Sequence, residues 1–110
     1  MRVPAVLLAT VLLGSSAAAQ TTHNVNLFTQ SFSPSNLTIE VGDTVRWTWV
    51  AGFHDVVSAP WSTGLPNGYF SSGIPTATPG TTFEVLFDQA FLDTNPEPGN
   101  VYQYVCSIHY

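Results

Sequence analysis

Cys106 and His109 stand three positions apart as Cys-x-x-His, directly after a run of alternating apolar residues. A strand that ends in a tight loop can turn two such side chains toward one point. A thiolate and an imidazole together suit a borderline or soft metal such as copper or zinc. The pair is short and common in sequences, so other features must supply context. A c-type haem attachment needs Cys-x-x-Cys-His, whereas this chain reads Cys106-Ser107-Ile108-His109. A structural zinc site would need further cysteines or histidines at matching spacing, and they are absent. His54 is a third candidate, placed between a Trp47-x-Trp49 strand and Val56-Val57. Taken alone it reads as an ordinary strand-edge histidine.

These residues must be positioned by strands. Leu37 to Val41 alternates apolar and polar residues with the period of a half-buried strand. Thr44 to Val50 sets Val45, Trp47 and Trp49 on one face, and Thr81 to Phe87 does the same with Phe83, Val85 and Phe87. In Val101 to Cys106, the residues Tyr102, Tyr104 and Cys106 share a side. Weaker strands are expected at Val25–Thr29 and Asp55–Val57, with at most a short one near Tyr69-Phe70. Pro60 to Gly80 is rich in Pro and Gly and reads as a long loop; Asp93 to Gly99 is a second connection. No helical periodicity extends over a dozen residues. The pattern predicts a small antiparallel β-sandwich, near the lower size limit for a core without disulfides, which a bound metal would reinforce.

The chain has 110 residues, enough for one domain. Residues 1–19 read as an export signal: a positive start at Met1-Arg2, an aliphatic run from Val6 to Leu13, and small residues at Ala17-Ala18-Ala19. Residues 20–110 then form the domain. Its one arginine against seven acids gives a formal charge of −6. That charge excludes a nucleic-acid binder, which must neutralise phosphates. No second apolar run reaches spanning length, so stable membrane insertion is not expected. The expected location is periplasmic or extracellular. An unpaired cysteine in an oxidising compartment calls for an explanation, and metal ligation is one.

Phe32-x-Pro34, then Leu37 to Trp47 (LTIEVGDTVRW), His54, and Tyr102-x-Tyr104-x-Cys106-x-x-His109 follow one another in an order that resembles the plastocyanin-like branch of the cupredoxins. The resemblance covers about Leu27 to Tyr110. It implies a Greek-key β-sandwich with one type 1 copper ion, used for outer-sphere electron transfer and not for catalysis. It further implies His54 and His109 as imidazole ligands and Cys106 as the thiolate. A copper store or delivery protein, and a secreted sandwich without redox use, remain alternatives. A multicopper enzyme would need more histidines than His23, and no oxyanion-hole motif supports Cys/His hydrolysis.

Two departures from the family pattern stand out. The family continues beyond its second histidine with an axial Met and a final strand, whereas this sequence ends at Tyr110 and its only Met is Met1. The reading is therefore a C-terminally incomplete domain with an open sheet edge, or a site whose axial donor is a carbonyl of Gly52 or Phe53. Asp55 stands where the family often has Asn; it can accept from the Ser107 amide but, ionised, cannot donate. Among the remaining residues, His23 is expected to be solvated at a strand start, with a terminal copper-binding motif as a minor reading. Trp47, Trp49 and Tyr104 are expected in the core. Trp61, Tyr69 and Phe70 form either a docking rim or a lid on the core, and Asn36-Leu37-Thr38 is a glycosylation sequon. The acidic excess favours basic redox partners, with an encounter rate that falls as salt rises, and the domain is expected to be monomeric.

Overall fold

Period-two alternation produces the expected half-buried strands. In the computed structural model, which describes residues 9–14 and 20–109, strand β5 (Asp43–Trp49) buries Asp43, Val45, Trp47 and Trp49 and turns Thr44, Arg46 and Thr48 outward. Its neighbours are β2 (Thr22–Phe28), parallel to it, and β7 (Thr82–Phe87), antiparallel. With β3 (Ser31–Ser33) at one edge, the first sheet has the order β3-β2-β5-β7. Arg46 lies opposite Glu84 in the β5–β7 register, and their side chains meet at 2.6 Å on the exposed face.

The second sheet has the order β4-β1-β8-β6, from β4 (Asn36–Glu40), β1 (Ala9–Gly14), β8 (Val101–Val105) and β6 (Val57–Ser58). The inner faces of the two sheets enclose one core. Trp47 is its centre, packed edge-on against Tyr104 at 5.1 Å and close to Phe70 and Phe83, both at 5.6 Å between ring centroids. Large aromatic rings let a small domain bury much apolar area with few residues.

Four differences from the sequence reading have physical causes. β1 falls within the segment read as an export signal: its aliphatic run suits a strand as well as a signal core, and Val11 and Leu13 are buried. The ends of that segment, Met1-Arg2 and Ala17–Ala19, lie outside the described residues, as does Tyr110. β1 pairs with β8 on the side away from β6. A six-residue helix, α1 (Gln89–Thr94), was not expected; it is too short to show a period, and Asp88 caps it by accepting from the Phe91 amide at 2.8 Å. The three-residue β3 is likewise below the length at which alternation can be read. Near Tyr69-Phe70 there is no strand but a single bridge, between Val57 and Ser71.

Candidate metal centre

The strand order brings two distant segments to one end of the sandwich. After β5 the chain crosses to β6 in the opposite sheet, and His54 lies on that crossing. β6 pairs with β8 so that Val57 faces Val105. Continuing the register sets Asp55 opposite Ser107, immediately after Cys106. Ser107 donates twice to Asp55, from its amide to Oδ1 at 2.7 Å and from its hydroxyl to Oδ2 at 2.5 Å. A tight turn then returns His109 toward the cysteine, its amide donating to the Cys106 carbonyl at 3.2 Å.

The backbone of His54 is held from two directions. It exchanges a pair of hydrogen bonds with Thr76, at 3.0 and 2.9 Å, and its carbonyl accepts from the Trp49 indole at 3.1 Å. The ring is fixed as well. Nε2 lies 3.0 Å from the Ala51 carbonyl, which can only accept, so Nε2 carries the proton and Nδ1 keeps its lone pair. Nδ1 is buried without a hydrogen-bond partner among the described residues. A buried polar atom left unpaired in this way is costly unless something else completes it, and a cation does so.

One donor atom from each of His54, Cys106 and His109 lies within 4.8 Å of the others. Cys106 Sγ and His109 Nδ1 are 3.6 Å apart, and the two imidazole rings meet nearly edge to face, 5.0 Å between centroids. His54 and Cys106 are buried, and His109 is half-buried. Burial pushes the His54 imidazole down, toward the neutral form that ligates. Burial also pushes the Cys106 thiol up, against the opposing pull of backbone hydrogen bonds, so a cation must displace its proton on binding. A thiolate with two imidazoles is a donor set for copper or zinc.

The match to known proteins narrows this choice. A family model described as copper binding proteins, plastocyanin/azurin family, matches residues 17–110. The chain belongs to that family, and its two-sheet architecture is the all-β cupredoxin sandwich. A comparison with curated proteins found no match.

The other residues singled out in the sequence lie elsewhere. His23 is not simply solvated: its Nε2 is 2.8 Å from Asp43 Oδ2, within a strand paired along its length with β5. That placement is incompatible with a square-planar terminal copper site at His23. Phe70 is buried core, and the Tyr69 hydroxyl is bound by Glu97 at 2.5 Å, so neither forms an open rim. Three contributions went unread: the Ser107 hydroxyl, Thr76, and the space Gly52 leaves for the His54 ring, since Gly52 was considered only for its carbonyl. Gly52 has φ +89°, and a Cβ there would lie 2.5 Å from His54 Nε2. Its place two residues before a candidate ligand was the available signal; Thr76, far away in the Pro/Gly loop, offered none.

Proposed function

We propose that this protein is exported with loss of residues 1–19, holds one copper ion on His54, Cys106 and His109, and passes single electrons between redox partners. The observation that carries the reading is the convergence of one thiol and two imidazoles within 4.8 Å, with a buried Nδ1 that has no hydrogen-bond partner among the described residues. When bound, copper supplies a centre that alternates between Cu(I) and Cu(II), a change that needs no bond made or broken in the protein. The chain's contribution is rigidity. The Thr76 and Trp49 hydrogen bonds hold His54, and the Asp55–Ser107 link holds the cysteine loop. Fixed ligands change little between oxidation states, so little energy is spent reorganising the site.

His109 is the half-exposed member of the trio, and exposed Phe53 and Ile108 lie beside His54 and His109 in the chain. Such a surface suits brief contact with a partner that accepts or delivers an electron through the His109 ring. The acidic excess of residues 20–110 favours a basic partner and a monomeric carrier. The remaining histidine, His23, is engaged by Asp43, which speaks against a second copper centre and catalysis.

Cu(II) added to the purified protein tests the reading. An intense thiolate-to-copper band is expected in the visible, absent in Cys106→Ser, bleached by a mild reductant and restored by an oxidant over repeated cycles. A colourless protein with a freely titratable thiol would overturn the copper assignment. A coloured site that cannot be cycled would overturn the carrier function.

A further inference from the structure

Tyr102 and Tyr104 point inward from β8, and Cys106, also in the core, follows two residues on, so the three succeed one another at steps of roughly 7 Å. Tyr69 extends this row away from Cys106: its ring meets Tyr102 edge to face, 5.7 Å between centroids. Trp47 joins the row at Tyr104, 5.1 Å away, and the Trp49 indole touches the His54 backbone. Trp47, Trp49, Tyr102 and Tyr104 are at most 2% exposed, whereas Tyr69 is half-buried. Oxidisable side chains thus lead from the candidate metal centre through the core to the surface at Tyr69.

A phenol or indole that loses an electron becomes a strong acid, so a hole comes to rest where the released proton has a base to go to. The Tyr102 hydroxyl donates to the Asn95 carbonyl at 2.5 Å, and the Trp49 indole to that of His54 at 3.1 Å. A carbonyl accepts a hydrogen bond but is a poor home for the proton itself. Trp47 Nε1 and the Tyr104 hydroxyl are buried with no hydrogen bond of ordinary geometry among the described residues. A cationic ring at any of these four positions would be a buried, unpaired charge. Tyr69 differs: its hydroxyl lies 2.5 Å from Glu97 Oε2, with the Pro96 carbonyl at 3.4 Å. At the other end of the row, Cys106 Sγ faces His109 Nδ1 across 3.6 Å, a longer and poorer path for a proton.

We propose that Tyr69 and Glu97 form a redox site of their own, a hole sink through which the protein yields one electron to a strong oxidant of the peroxyl- or carbonate-radical class. The oxidant removes one electron from the row. Tyr69 refills the hole, its O–H bond breaks, and the proton passes to Glu97 Oε2. The products are the reduced oxidant, a neutral tyrosyl radical and a carboxylic acid. A hydrogen-atom donor of the ascorbate class then restores the Tyr69 hydroxyl at the half-exposed ring and leaves as its own one-electron-oxidised radical, while Glu97 returns its proton to water. The core indoles and the Cys106 thiol are spared irreversible oxidation. This inference stands apart from the copper reading, because neither Tyr69 nor Glu97 is a candidate ligand.

Copper-free protein carrying Trp61→Phe provides the test, because its two remaining indoles, Trp47 and Trp49, both lie in the core. An ultraviolet laser pulse ionises them, and methyl viologen takes up the ejected electron. The indolyl absorption should decay into that of a tyrosyl radical at a rate independent of protein concentration. A nitroso spin trap followed by peptide mapping should place the radical on Tyr69, and should do so in the unaltered chain as well. Glu97→Gln keeps an acceptor for the hydroxyl but no base. It should slow the conversion by at least about tenfold, less than the usual gain from a positioned base, and remove the slowing expected in heavy water. Tyr110→Phe should change neither the rate nor the position of the adduct. Far-ultraviolet circular dichroism and urea midpoints check that each variant is folded. An adduct mapped chiefly to Cys106, Tyr102, Tyr104 or Tyr110 would overturn the proposal, and so would a conversion rate indifferent to Glu97→Gln.

Discussion

Asp55 and Ser107 are joined by two hydrogen bonds, at 2.7 and 2.5 Å, and each directly follows a candidate ligand or its strand partner: Asp55 after His54, Ser107 after Cys106. The link sets the distance between the two ligand segments before any metal arrives. Asp55 is 4% exposed, so its charge acts at short range through little water. That charge favours the more positive oxidation state of the ion. Asp55→Asn is expected to raise the midpoint potential by roughly 60 mV, the one-electron equivalent of about 1.4 kcal/mol. Voltammetry of both proteins checks this, and an unchanged potential would show that the carboxylate acts only as a tether.

Gly52→Ala should damage the site through the His54 ring. Its φ of +89° costs a side-chain-bearing residue about 1–2 kcal/mol, and the new Cβ would press on Nε2 at 2.5 Å and on the Thr29 backbone at 3.1 Å. Gly80→Ala is the matched control, with φ +87° and nothing within 4 Å of the added atom. Both variants should lose stability in denaturant titrations, but only Gly52→Ala should lose copper affinity as well. Equal affinities in the two would mean that Gly52 serves the turn and not the ring.

The strands nearest the metal centre were legible because each has a buried face and an exposed one. β5 and β8 carry Trp47, Trp49, Tyr102 and Tyr104 inward at strict alternation, and the observed bounds differ from the reading by about a residue. Cys106 and His109 were readable from their spacing. His54 gained weight only from its place among motifs of the cupredoxins, because a single histidine has no pattern of its own. Thr76 was out of reach, since its pairing with His54 depends on how a long loop returns across the sandwich. The pairing of β1 with β8 was out of reach for another reason: an aliphatic run that suits a signal core also suits a buried strand, and sequence periodicity cannot separate the two over six residues.

Tyr104→Phe should be neutral or stabilising. The ring is wholly buried, its hydroxyl makes no hydrogen bond of ordinary geometry among the described residues, and burial pushes its ionisation far above the ordinary range against a weaker pull from the Trp47 indole. Deleting an unsatisfied hydroxyl while keeping the ring removes a desolvation penalty of about 1–3 kcal/mol and opens almost no cavity. Urea midpoints of the two proteins decide the matter. A loss of more than about 1 kcal/mol would reveal a partner for the hydroxyl, such as a bound water.

Copper should stabilise the fold through mass action on the native state. Ions held at a thousandfold excess over the dissociation constant add about 4 kcal/mol. The melting temperature should therefore fall on chelation and rise again on reloading, and Cys106→Ser should melt at one temperature in both conditions. If the wild-type melting point ignored copper, the three donors would not be holding an ion.

Asp43 should make the copper-free fold acid-sensitive. Its carboxylate, at the start of β5, accepts from the Thr21 amide at 2.9 Å, the Glu40 amide at 3.1 Å and His23 Nε2 at 2.8 Å, so it ties the chain just before β2 and the end of β4 to β5. Burial alone would raise its pKa, but these donors outweigh burial and hold it below the ordinary value. A carboxyl depressed in the folded state binds fewer protons there than in the unfolded chain. Its stabilisation is thus complete above the unfolded value of about 3.9 and is lost as pH falls from there through the folded value. Asp43→Asn cannot ionise and lacks this term, so its unfolding free energy should depend less steeply on pH below about 4. At neutral pH it should be less stable by about 1–3 kcal/mol, from weakened bonds to the two amides and His23. Urea titrations between neutral and acid pH, on copper-free protein so that ligand protonation does not contribute, measure both quantities. Parallel pH profiles for the two proteins would mean that Asp43 holds the strands together no better charged than neutral.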